Sequence, residues 1–130
     1  MTEIIFFLLS FQYPRSLQQL MKNIELIEKL KFGGKLHSEK DKEARRLFIG
    51  SRRQIMEVTL SNNAVLSKHK AAEPITVLCL AGNGTFFAGE DLQDTQTLEA
   101  GTCITLEADV PHEVVAEPEL RVLVTKFRKE

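Results

Sequence analysis

Ile75-Thr76-Val77-Leu78-Cys79-Leu80-Ala81, followed by Gly82-Asn83-Gly84 and then by Thr85-Phe86-Phe87-Ala88, is the stretch whose reading decides the fold. Its first run alternates with a period of two, the pattern of a strand with one face turned to a core. The glycine-asparagine-glycine triplet reads as a turn between that strand and the next. Two histidines, His69 and His112, stand on either side of the stretch.

Outward from there, period-two runs recur at even spacing. They are Arg53–Leu60, Ala64–His69, Ile75–Ala81, Thr85–Ala88, Thr95–Leu98, Thr102–Leu106, Glu113–Ala116 and Leu120–Phe127. Turn residues bound them, as at Ser61-Asn62-Asn63, Gly89-Glu90-Asp91 and Glu99-Ala100-Gly101. Short strands at this spacing predict an all-β sandwich or closed antiparallel barrel. A barrel of this size has either a filled interior or one small cavity.

The N-terminal third reads differently. Ser16 and Gln19 have the spacing of a capping box, and Leu17, Leu20, Ile24 and Ile27 follow at helical intervals. A helix over Leu17–Leu30 is expected, stopped by Gly33-Gly34. Lys35–Arg46, dense in charge of both signs, reads as a solvated loop or short helix. The expected organisation is therefore an N-terminal extension and helix over residues 1–34, with a barrel domain over 35–130.

Composition narrows the class. The chain has 130 residues, enough for one core, and 43% are hydrophobic. A net charge of −1 and a pI near 6.3 give no electrostatic case for nucleic acid. Arg45, Arg46, Arg52 and Arg53 flank Leu47-Phe48-Ile49, but Glu39, Asp41 and Glu43 sit beside them, so the cluster reads as a solvated face. Two cysteines, Cys79 and Cys103, are too few for a disulfide framework and read as reduced thiols of a cytoplasmic protein. The apolar run Ile4–Leu9 is too short to span a bilayer and lacks the basic flank of a signal peptide. No membrane association is expected. Met21-Lys22 reads as an equally good translation start, which would make residues 1–20 an upstream extension; with a start at Met1 they read as an added edge strand or a segment that packs on a partner subunit.

The spacing of glycine-like and histidine positions resembles the two cupin motifs. Asn63 to Gly82 follows the frame Gly-x5-His-x-His-x3-Glu-x6-Gly, with His69 at the first histidine and Gly82 at the last glycine. Asn63 replaces the first glycine, an apt exchange because asparagine tolerates the left-handed conformation. Ala71 stands at the second histidine and Ile75 at the glutamate. Gly101 and His112 match the second frame, Gly-x5-Pro-x-Gly-x2-His-x3-Asn, in which Glu107, Asp109 and Ala116 fill the proline, glycine and asparagine positions. The resemblance covers about the last two thirds of the chain. It is strongest to small single-domain cupins of unassigned role that carry a "His-x-Ala…Pro-Ile-Thr-Val" form.

The resemblance implies an antiparallel β-barrel of the double-sheet jelly-roll type and a homodimer. It also implies a divalent transition metal held by two histidines and a glutamate of the first motif with one histidine of the second. Only His69 and His112 of that set are present. The first reading is therefore a small-molecule-binding cupin without a complete metal site and with no resident cofactor. Its pocket is expected to be lined by His69, His112, Cys79, Ile75, Val77 and Phe86, with Ile104 and Val114, an apolar cavity with few polar anchors. The alternative is a metal-dependent enzyme of dioxygenase or isomerase type, using His69 and His112 with a third ligand from outside the motif. Cys79, which shares the parity of Ile75 and Val77, or Glu73 would supply it.

Overall fold

The computed structural model describes residues 23–28, 30 and 40–128. Seven strands run through them: β1 (Lys42–Ile49), β2 (Arg53–Leu60), β3 (Val65–His69), β4 (Ile75–Ala88), β5 (Asp94–Glu99), β6 (Cys103–Leu106) and β7 (His112–Phe127). All pair antiparallel. The all-β architecture expected from the period-two runs is the one observed.

Two long strands make the barrel from one hydrogen-bonded sheet. The first half of β4 pairs with β6 on one side and with the second half of β7 on the other, and β7 continues into β2 and β1. The second half of β4 pairs with β5 and with the first half of β7, which in turn pairs with β3. Both strands turn the same corner and so belong to two layers, with the apolar core between them. Leu60, Leu80, Leu98, Leu120 and Cys79 are the largest fully buried side chains. Each large aliphatic side chain withdrawn from water this way contributes on the order of 2 kcal/mol.

The corner corrects one expectation. Gly82-Asn83-Gly84 is not a turn between strands but lies inside β4, at register shifts between Cys79 and Ala81 and between Gly82 and Gly84. The buried positions change there from Ile75, Val77 and Cys79 to Gly84, Phe86 and Ala88, so the inward face switches parity. Gly82 has φ +81°, and a β-carbon on it would overlap the Glu119 carbonyl oxygen of β7. A glycine is required because two backbones cross in contact. Likewise Glu113–Ala116 and Leu120–Phe127 are parts of one strand, β7.

The charged segment before Leu47 is also corrected. Lys42–Arg46 is the start of β1, paired in register with β2 from Lys42↔Leu60 to Arg46↔Met56. Its side chains are exposed at each of these positions, so it shows no apolar alternation to read. A charged strand at the end of the sheet order is how a sheet edge stays soluble. Arg45 pairs with Glu57 at 3.2 Å, and the Arg53 guanidinium lies 4.7 Å from the centre of the Phe48 ring.

Of the helix expected over Leu17–Leu30, residues 23–28 and 30 are described and carry no helical turn; the rest lies outside the described residues, as does the expected boundary near Gly33-Gly34. Among the described residues no helix is long and apolar enough to cross a membrane.

Candidate functional site

His69 ends β3 and His112 begins β7, and the two are cross-strand partners in the β3–β7 ladder. Their rings stand 4.2 Å apart, centre to centre, inclined at 59°. Phe86, on the second half of β4, lies parallel to the His112 ring at 5.5 Å with an angle of 7°. This places His112 between an aromatic wall and its partner imidazole. His69 is exposed and His112 is buried, so the pair runs from solvent into the interior.

Each ring is anchored the same way. His69 Nδ1 is 2.7 Å from the Ser67 carbonyl and His112 Nδ1 is 3.0 Å from the Val110 carbonyl. A carbonyl only accepts, so the hydrogen-bond network assigns the proton of each neutral ring to Nδ1. Both Nε2 lone pairs are left available. The approach to His112 is fixed by backbone as well. Asp109, at the glycine position of the second motif, takes φ +65°, and its N–H donates to the Ala71 carbonyl at 2.8 Å. Asn63 takes φ +59°, the left-handed conformation anticipated from the first motif.

The histidine pair opens onto a cavity of about 180 Å³ inside the barrel. Ile75, Val77, Phe86 and Val114 line it with both histidines, and β2 and β7 add Val58, Val122 and Val124. A cavity of about 150 Å³ can admit a molecule the size of benzene, so this volume suits a small ligand. Burial pushes the His112 pKa below its ordinary value of 6.5, against the Val110 hydrogen bond, and the charges of His69 and Lys126 push the same way. His112 is therefore neutral at pH 7.

Three expected members stand elsewhere. Cys79 keeps the parity of Ile75 and Val77 but lies beyond the cavity, packed in the core with its thiol 3.6 Å from the Ala81 carbonyl. Burial, and secondarily Glu99, push its pKa up, so it is a protonated core thiol. Ile104 packs against the core from β6 without lining the cavity. Glu73 sits in a separate surface recess with Ala72, Pro74 and Arg128.

Among the lining residues that were not anticipated, two are charged, Lys70 and Lys126. Lys126 continues the inward parity of Leu120, Val122 and Val124 on β7, a signal the sequence contained. Lys70 follows the last residue of β3 and had no such signal.

The motif resemblance implies a divalent metal, and the donors present decide whether it fits. Two imidazoles held by Nδ1 with Nε2 free suit a metal. The other polar groups lining the cavity are the two lysines, and among the described residues no group of three His, Cys, Asp or Glu side chains stands together. Ala71 and Ile75 occupy the positions of the missing ligands and both line the cavity. This donor set does not fit a site of three or four protein ligands.

No family model and no curated protein matches the chain. Solved structures do. A conserved protein of unknown function from Streptococcus pyogenes is 19% identical, with TM-score 0.65 over 84% of this chain and 94% of that one. A cupin superfamily protein from Desulfitobacterium hafniense is 14% identical, with TM-score 0.66 over 83% and 97%. The DMSP lyase DddQ from Ruegeria pomeroyi is 15% identical, with TM-score 0.61 over 69% of this chain and 48% of that one. The chain has the cupin fold. Likeness at such identities extends to the fold and not to the activity.

Proposed function

We propose that this protein is a cupin that binds a small molecule directly in its barrel cavity, without a complete metal site. The observation that carries the reading is the cavity itself: apolar walls converging on two histidines whose Nε2 atoms are free. The test is a ligand-observed NMR screen of small fragments against the protein and a Val77→Phe variant, which fills the cavity from a wall position. Fragments that bind the protein and not the variant support the reading. Binding that survives the substitution contradicts it.

A second reading, a metal-dependent dioxygenase or isomerase, is favoured by the Nδ1–carbonyl anchoring of both rings, the usual support of a ligating histidine. It predicts that His112→Ala loses metal content and turnover together. A variant that folds and keeps both rules it out. A homodimer, paired through an edge strand or an exchanged N-terminal segment as the motif resemblance implies, is part of the proposal.

A further inference from the structure

The charge of the cavity is the reverse of what a cation site needs. Its titratable lining is His69, His112, Lys70 and Lys126, with no carboxylate among the described lining residues. The exchange is local. Ile75, where the motif has glutamate, is the direct cross-strand partner of Lys126. A negative position has become apolar, and a lysine stands opposite it. Ala71, where the motif has histidine, directly follows Lys70. Lys126 lines the same cavity as His112, and its charge is among the causes that lower the His112 pKa.

Lysine has three donors and no acceptor, so a lysine that lines the cavity offers its ammonium to an acceptor, best an anion. The walls beyond it, Val58, Val77, Val122 and Val124, offer neither donor nor acceptor from their side chains. A ligand complementary to both halves has one anionic head and a compact apolar body. Resting on the reading of the cavity as a small-molecule site, we infer that the ligand is a small monocarboxylate. Its carboxylate is held by Lys70 and Lys126, and its hydrocarbon part lies along the β2, β4 and β7 walls. The cavity volume limits that part to about the size of a phenyl ring.

The test is isothermal titration calorimetry with benzoate and hexanoate, with benzamide and benzyl alcohol as neutral counterparts, and with acetate and inorganic phosphate as anions without an apolar body. Benzoate or hexanoate is expected to bind at least about tenfold more tightly than any of the other four, the size of one charge-assisted hydrogen bond. Lys126→Met, which keeps the aliphatic stem, is expected to remove about that tenfold from the carboxylates and leave benzyl alcohol within about twofold. An unchanged melting temperature establishes that the variant is folded. If it is not, Lys70→Met, at an exposed position, supplies the same comparison.

Equal affinity for benzoate and benzamide overturns the anionic head and leaves the cavity reading standing. Equal affinity for benzoate and phosphate overturns the apolar body. No heat from any of the six probes, with no fragment displaced by Val77→Phe, overturns the cavity reading and this inference together.

Discussion

Replacing Ile75 with glutamate tests the geometry of the site in a single step. Ile75 is 3% exposed, lines the cavity and stands at the motif glutamate position. Ile75→Glu gives up the burial of one aliphatic side chain, about 1.5–3 kcal/mol. It also places a carboxylate opposite Lys126, whose charge offsets part of the desolvation cost. The net loss expected is about 2–4 kcal/mol, or roughly 8–16 °C in melting temperature for a domain of this size. The same carboxylate brings the donors at the cavity to three with His69 and His112, the number a catalytic zinc site uses. Zinc at about a thousandfold over its dissociation constant should return about 4 kcal/mol. Melting followed by circular dichroism, with and without zinc, reads both effects. The variant should melt low without zinc and regain the whole loss with it, while the unsubstituted protein moves by no more than about 2 °C. A variant that zinc leaves unmoved would show that position 75 does not face the histidine pair, and the account of the cavity would be wrong.

Three other outcomes are expected. His112 has a folded pKa lowered from 6.5, so the unfolded chain binds the proton more readily. Its contribution to stability is complete above about pH 6.5 and is lost as pH falls from there towards the lowered value, and urea unfolding between pH 8 and 5 should show this loss, absent in His112→Phe. Gly82→Ala forces a side chain into φ +81° and against the Glu119 carbonyl, and should cost at least about 2 kcal/mol in the same assay. Exposed Cys103 should react with a thiol reagent while buried Cys79, with its raised pKa, waits for unfolding. Mass spectrometry of the singly labelled protein locates the reacting thiol.

Much of the barrel was legible because its strands bury one face. β2 was readable end to end as Arg53–Leu60, and the parity of Ile75 and Val77 gave their inward direction. β1 was not, because neither face of Lys42–Arg46 is buried and a strand without a buried face has no alternation to show. The corner at Gly82-Asn83-Gly84 was misread since its glycines serve a crossing with Glu119, a contact distant in sequence. At the site, the motif frame brought His69 and His112 together, and the chain does place them 4.2 Å apart. Cys79 failed as a lining residue because parity gives the face and not the depth along the barrel axis. Lys126 was overlooked because a lysine near a strand end is usually solvated, whereas here the inward phase of β7 carries it into the cavity wall.

The central claim is that this cavity receives its ligand without a complete metal site. Elemental analysis of protein purified without an affinity tag or chelator tests it most directly. The account predicts well under one transition metal per chain. Stoichiometric iron, manganese, nickel or zinc, lost in His112→Ala, would contradict it.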